Sequence, residues 1–346
     1  MENMEFSLKK IFMERAIQLA RNGLGTTSPN PMVGCVIEKN GVVISEGWHY
    51  KFGMNHAEVE AINKIKDNNS FVNSTLYVTL EPCIHFGKTS PCVDLIIKKK
   101  IPIVVIGIRD PYQKVNGLGI KKLINNGIKV VENFLEDQCL VLNKRFFTFH
   151  KKNRPYIILK WAQSNDGFIY SSNRKNKWIS GENARQLNHK WRSEEDSILV
   201  GKKTVLNDNP KLNVRKWDGK NPVRIFIDKK LNIPDSYFVL DGTQKTIIFT
   251  EKNKKNKKNI EYICLSFKKE LIKNILNQLY RRNIQSLIVE GGKNTLENFI
   301  KENMWDECRV FVCNTTLKCG IESPIIKGKM LKSVNIGKDI LFYFSR

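Results

Sequence analysis

His56-Ala57-Glu58, followed by Thr79-Leu80-Glu81-Pro82-Cys83 and then Pro91-Cys92, is the stretch from which the rest of the chain is read. One imidazole and two thiolates can hold a Zn²⁺ ion and leave the fourth tetrahedral position open for water. Glu58 is not needed as a ligand, so it is placed to move protons between that water and a substrate. A helix signal starts at His56 and sets its ring and the Glu58 carboxylate beside one cavity. Pro82 favours an abrupt end to the strand before Cys83. The helix start near Cys92 favours a thiolate through its dipole. A purely structural zinc would want a fourth ligand and would leave Glu58 without a task. Two buried cysteines and an unrelated histidine are the bland alternative, and the ordered combination argues against it.

Outward from this site, strand and helix signals alternate. Leu8, Ile11, Phe12, Ala16, Ile17 and Leu19 repeat at helical spacing, and Pro29-Asn30-Pro31 ends that helix. Strands are predicted at 33–37 and 42–45 around an Asn40-Gly41 turn, then at 75–80, 102–108 and 128–131. Helices are predicted at 56–66, 93–99 and 118–125, with one continuous helix over 134–149. Lys151-Lys152-Asn153-Arg154-Pro155 is a polar, proline-ended boundary, which divides the chain into residues 1–150 and 151–346. The rhythm then restarts, with strands at 156–164, 197–201, 223–227, 246–250, 286–290 and 308–313. Helices are expected at 182–195, 271–281 and 295–303. The fold class is therefore α/β in two domains.

The chain's 346 residues are long for one core and suit two. No apolar run is long enough to span a membrane, and Met1 to Lys10 lacks an apolar signal core. A cytoplasmic protein with no membrane partner is expected. The eight cysteines are scattered, as free thiols or metal ligands rather than disulfides. Cys308, Cys313 and Cys319 are unevenly spaced with no histidine among them, so no second metal is expected there. The net charge of +24 suits an anionic partner, or reflects a lysine- and asparagine-rich composition. The lysines are spread over both halves with no arginine-rich recognition stretch, and Lys252 to Lys258 reads as a solvated loop. These features favour a small phosphorylated molecule over nucleic acid.

The His-x-Glu … Pro-Cys … Cys order is that of zinc-dependent nucleobase deaminases. Many of these have two residues between the cysteines. Here eight intervene, and His85 and Lys88 among them are candidates for a phosphate or a base edge. Further stretches are Thr26-Thr27-Ser28-Pro29-Asn30-Pro31-Met32-Val33-Gly34-Cys35 and Glu46-Gly47-Trp48-His49. In the second half they are Leu159-Lys160, Asp166-Gly167, Trp178-Ile179, Thr204-Val205-Leu206, Asp208-Asn209-Pro210 and Val289-Glu290-Gly291-Gly292. With them the chain resembles the bacterial bifunctional riboflavin biosynthesis deaminase-reductases over nearly its whole length.

That resemblance implies an N-terminal cytidine-deaminase-like α/β/α sandwich and a C-terminal dihydrofolate-reductase-like α/β domain. It implies one Zn²⁺ per chain, held by His56, Cys83 and Cys92, with Glu58 as general acid/base, and NADPH as the second cofactor. The implied reactions are deamination of 2,5-diamino-6-ribosylamino-4(3H)-pyrimidinone 5′-phosphate and then reduction of the ribosyl group to ribityl. Asn30 and His49 fall at pyrimidine-binding positions. Ala162, Trp178, Thr204, Asp208 and the run Gly292, Lys293, Asn294, Thr295, Leu296, Glu297, Asn298 fall at cofactor positions. Asn176, Arg192, Leu212, Arg215 and Glu290 fall at substrate positions, with Arg192 and Arg215 assigned to the ribose 5-phosphate. Lys160 either polarises the sugar or is structural. Family members associate through their reductase domains, which implies a homo-oligomer.

The sequence departs from the family at Asp228-Lys229-Lys230, where a serine is common, in the basic 173–177 loop, and around 315–320. Two other readings use the same residues. One is a tRNA base deaminase with an RNA-binding second domain, and the other a deaminase with a non-catalytic second domain.

Overall fold

The computed structural model describes residues 2–84, 90–112, 115–171 and 178–346, with side chains from residue 10 onward. It separates into two compact units, Met1–Lys152 and Asn153–Arg346.

The first unit runs α1 (Glu2–Ala20), β1 (Gly34–Lys39), β2 (Val42–Trp48), α2 (Ala57–Asn63), β3 (Ser74–Val78), α3 (Cys92–Lys98), β4 (Ile103–Ile106), α4 (Leu118–Asn125), β5 (Lys129–Val131), α5 (Glu136–Leu142) and α6 (Lys144–Lys152). The sheet order is β2-β1-β3-β4-β5. The β1 pairs with β2 and β3 are antiparallel, and the β3–β4 and β4–β5 pairs are parallel. All five residues of β3 are buried, as expected of a strand covered on both faces.

Alternation along the strands divides the core. Cys35, Ile37, Leu76, Val78, Val104 and Ile106 pack against α2, α3 and α4. Val36, Tyr77 and Val105 pack on the other face with Phe12, Met13, Ala16, Phe146 and Phe147. Gly34 lets α1 approach β1, because a Cβ there would lie 1.9 Å from the Ala16 carbonyl oxygen.

The single helix expected over 134–149 is two helices, α5 and α6, broken at Asn143. The break has a polar cause. The buried Asn143 amide accepts from Met32 N–H at 2.8 Å and donates to Met32 O at 2.8 Å. Those two bonds fasten the segment that carries Asn30. Asn143→Ala strands both Met32 backbone groups and should destabilise the first unit by about 2 kcal/mol or more in denaturant titrations.

The second unit runs β6 (Tyr156–Ser164), β7 (Phe168–Tyr170), α7 (Glu182–Glu194), β8 (Ser197–Gly201), α8 (Lys202–Asp208), β9 (Val223–Ile227), β10 (Thr246–Thr250), β11 (Ile260–Cys264), α9 (Leu271–Tyr280), β12 (Ser286–Val289), α10 (Lys293–Lys301), β13 (Glu307–Cys313), β14 (Ile321–Glu322), β15 (Lys329–Ile336) and β16 (Asp339–Ser345). Nine strands form one sheet, β11-β10-β9-β8-β12-β6-β13-β16-β15. The strands from β11 to β13 are parallel, and β16 and β15 close the sheet as an antiparallel hairpin. Chain order reverses around β12, which lies between β8 and β6. Open α/β sheets bind ligands at such a switch, beyond the carboxyl ends of the strands. Gly201, Asp228 and Glu290 stand at those ends. The departure at 228–230 is structural at its first position: buried Asp228 accepts from Ile233 N–H at 2.9 Å.

Candidate active sites

His56 is the residue before α2, and Cys92 is the first residue of α3. Cys83 lies on the irregular stretch after β3. His56 Nδ1 stands 3.5 Å from Cys83 Sγ and 3.4 Å from Cys92 Sγ. All three ligand atoms lie within 4.8 Å of one another. Ligands at ordinary Zn–N and Zn–S lengths on a tetrahedron would be about 3.6 Å apart, so the donor set fits zinc. The Cys92 N–H also donates to Cys83 Sγ at 3.4 Å. The hydrogen bond from the Cys92 side chain draws the Cys83 thiol well below its ordinary range, helped by His56 and the Cys92 N–H, and Cys92 is pushed up in turn.

Glu58, one residue into α2, is 3 % exposed and its Oε2 has no hydrogen-bond partner. Burial pushes its carboxyl up to about 7, with His56 opposing. A buried carboxylate oxygen without a donor is costly unless it has chemistry to do. His49 stands edge-on to His56, with ring centres 5.3 Å apart. Its Nδ1 faces Asn55 O at 2.8 Å and its Nε2 faces the Asn30 amide nitrogen at 3.1 Å. The first contact makes Nδ1 the donor, so Nε2 accepts from Asn30. Burial lowers the His49 imidazole and keeps it neutral.

Two groups escaped the sequence reading here. Buried Glu81 accepts from the N–H groups of Asp110, Gly117, Gly119 and Ile120, which ties the turn before Cys83 to the start of α4. Asp110, pushed up to about 7 by burial, follows β4 beside it. Glu81 lies in the Thr79–Cys83 stretch but has no metal or acid/base role to mark it there, and Asp110 has no motif of its own. His85 and Lys88 lie outside the described residues, as do Asn176 and the 173–177 loop.

In the second unit a cavity of about 410 Å³ is lined by Lys160, Ala162, Trp178, Arg192, Asp208, Arg215 and Glu290, among others. At its floor Arg192 grips Glu290 with two nitrogens, at 2.7 and 3.2 Å. Burial alone would raise the Glu290 carboxyl, but Arg192 and Lys160 overcome it and bring it down to about 2. Burial lowers the Lys160 ammonium, with Glu290 opposing. Arg215 is exposed at the rim, whereas Arg192 is buried in its ion pair. Leu212 does not line the cavity. Its side chain packs in the core with Val205, Ile233 and Val239.

Next to the cavity, β12 turns into α10 through Gly291 and Gly292, both at positive φ. A Cβ on Gly292 would sit 3.2 Å from Thr204 Oγ1, so the turn is open because it has no side chains. Thr295 and Leu296 already donate to Gly292 O, which leaves Lys293 and Asn294 N–H at the helix start. This is a fit for a phosphate of a dinucleotide. Lys293 pairs with Glu297 at 3.8 Å, and Asn298 donates to Asn294 at 3.3 Å. Leu296 is fully buried, so only its backbone can face a ligand.

Residues 7–108 match the cytidine and deoxycytidylate deaminase zinc-binding region, and residues 155–332 match the RibD C-terminal domain. The riboflavin biosynthesis protein RibD of Aquifex aeolicus is 38% identical, over 98% of this chain and 99% of its own length. The chain belongs to the RibD family. RibD proteins pair a deaminase with a reductase, and this chain is such an enzyme, with zinc and NADPH as cofactors. A solved Thermotoga maritima deaminase/reductase superposes with a TM-score of 0.89 at 36% identity, covering 98% of this chain and 99% of that one. Acinetobacter baumannii RibD superposes at 0.88 with 29% identity, covering 98% of this chain and 99% of that one. The RibD architecture of two α/β units, deaminase-like and then reductase, is the one described above. No helix among the described residues is long and apolar enough to cross a membrane.

Proposed function

We propose that the first unit deaminates 2,5-diamino-6-ribosylamino-4(3H)-pyrimidinone 5′-phosphate. The second then reduces the ribosyl group with NADPH, giving 5-amino-6-(5-phospho-ribitylamino)uracil. The observation that carries this is the cluster of His56, Cys83 and Cys92 around one point, with the buried Glu58 carboxylate beside it, its Oε2 unpartnered. The substrate is taken from the Thermotoga relative, a diaminohydroxyphosphoribosylaminopyrimidine deaminase and 5-amino-6-(5-phosphoribosylamino)uracil reductase.

In this reading His56, Cys83 and Cys92 hold zinc. Zinc bound there supplies Lewis acidity that makes water nucleophilic near neutral pH. Glu58 takes the proton from water and passes one to the departing ammonia. Asn30, aligned by His49, orients the pyrimidine. In the second unit NADPH, held by the Gly292 turn and the residues around it, would supply a hydride for reduction at C1′ of the sugar, and the protein's task is to hold that carbon in place and exclude water. Ala162, Trp178, Thr204, Asp208 and the Gly292–Asn298 segment face the cofactor. Lys160 and Glu290 face the sugar, and Arg215, at the rim, is better placed for the 5′-phosphate than the paired Arg192. Leu212 would act through its backbone.

The protein works in the cytoplasm on a small phosphorylated molecule, without nucleic acid or membrane. Copies associate through the second unit, where edge strand β15 exposes Met330, Leu331 and Val334.

The decisive experiment is incubation with the diaminopyrimidine phosphate, with and without NADPH, and identification of the products by mass. Deaminated product without NADPH, and ribityl product with it, are expected. Inosine formed in tRNA instead would favour the RNA reading. Cys83→Ser should release the metal, by elemental analysis, and loosen the first unit in thermal unfolding, because metal binding and folding are linked.

A further inference from the structure

Two hydrogen-bond acceptors in the reductase cavity have nothing to accept. Asn188 shares a hydrogen bond with Glu290, in which its amide N–H faces the carboxylate. Its Oδ1 then has no partner. His189, the next residue, is 4 % exposed. One ring N–H faces the Asn213 backbone, and Nδ1 has no partner. Both residues line the cavity, on the face of α7 that also carries Arg185 and Arg192 at helical spacing. Burial, with Arg192 and Arg215 nearby, lowers the imidazole to about 4. The ring is neutral at neutral pH, and its free nitrogen is an acceptor.

Buried acceptors without donors are rare in native proteins and call for an explanation in each case. The other polar groups named around this cavity do not satisfy them. Arg192 is spent on Glu290 and Asn213, and Glu290 is occupied by Arg192 and Asn188. A phosphate brings acceptors, not donors. A sugar brings a row of hydroxyl donors on neighbouring carbons, which suits two acceptors on neighbouring residues.

We propose that Asn188 Oδ1 and His189 Nδ1 accept hydrogen bonds from the 2′- and 3′-hydroxyls of the sugar being reduced, and so select a ribo-configured chain over a deoxy one. This rests on the functional reading above.

The test is binding to the full-length chain in the presence of NADP⁺. The probes are 5-amino-6-(5-phospho-ribitylamino)uracil and its 2′- and 3′-deoxy analogues. His189→Leu and Asn188→Leu should each weaken binding of the hydroxylated ligand about tenfold, the worth of one hydrogen bond. The same variants should bind one of the deoxy analogues as wild type does. His189→Asn, which restores an acceptor near Nδ1, should recover most of the loss. Deaminase turnover, performed by the other unit, should be unchanged and reports that the chain is folded. Equal losses on hydroxylated and deoxy ligands would assign the pair a structural role and overturn the proposal. Wild-type binding that the variants leave intact would overturn it alone. A wild-type chain that binds NADP⁺ but none of the three ligands would overturn the functional reading, and this assignment with it.

Discussion

Glu58→Gln abolishes deamination while the metal stays. The expected loss is about three orders of magnitude in kcat, the upper part of the range for a positioned acid/base group. Zinc content should remain at about one per chain, because His56, Cys83 and Cys92 form the donor set without the carboxylate. Stability should hold or rise. Glu58 is buried, its Oε2 lacks a partner, and burial works against its charged form. Replacing it by a neutral amide of the same shape removes that penalty. Three measurements are needed together: turnover, metal content and the unfolding midpoint. A variant that loses metal and activity in parallel would make Glu58 a ligand, and one that keeps its turnover would move the proton transfer elsewhere, with Asp110 the first candidate.

The first site was legible because its chemistry fixes residue types at short range. Three ligands and a carboxylate fall between residues 56 and 92, and the strand and helix signals around them set their directions. The alternation that splits Val36, Tyr77 and Val105 from Cys35, Leu76 and Val104 follows from the pleat alone. What escaped was set by partners far away in sequence. The helix over 134–149 breaks because Asn143 bonds Met32, and no local propensity reports a partner 111 positions away. The hairpin of β15 and β16 was missed, although Ile340 to Phe344 is an apolar run, because β15 is almost wholly exposed and its apolar residues Met330, Leu331, Val334 and Ile336 do not alternate strictly. In the reductase cavity Arg192 was legible as a cation but not as one already spent, since Glu290 lies 98 residues on. Asn188 and His189 lay on a helix whose spacing was visible, but a free acceptor is a property of everything around it.

The Arg192–Glu290 pair gives the largest stability effect expected in the second unit. Both side chains are nearly inaccessible, at 11 and 7 % exposure, and the guanidinium meets both carboxylate oxygens. Arg192→Leu leaves a buried carboxylate with only Lys160 and the Asn188 amide for company. Breaking such a pair on one side costs about 3–5 kcal/mol, although the intact pair is worth far less against an apolar replacement. The loss should be read in the unfolding transition that added NADPH raises. Adding Glu290→Gln to Arg192→Leu should recover more than half of it, because the stranded charge is then gone. Additive losses in the double variant would mean the two side chains are not coupled. The pH dependence carries the same sign. Glu290 sits at about 2 in the folded chain against an ordinary value of 4.5. Its contribution of about 3 kcal/mol is therefore complete above pH 4.5 and fades as the pH falls toward 2. Glu290→Gln should flatten this part of the acid limb. Arg192→Leu should move the onset of acid loss to higher pH, since burial then raises the carboxyl with only Lys160 and the Asn188 hydrogen bond opposing it. Reduction should fall in both single variants, while deamination by the other unit continues.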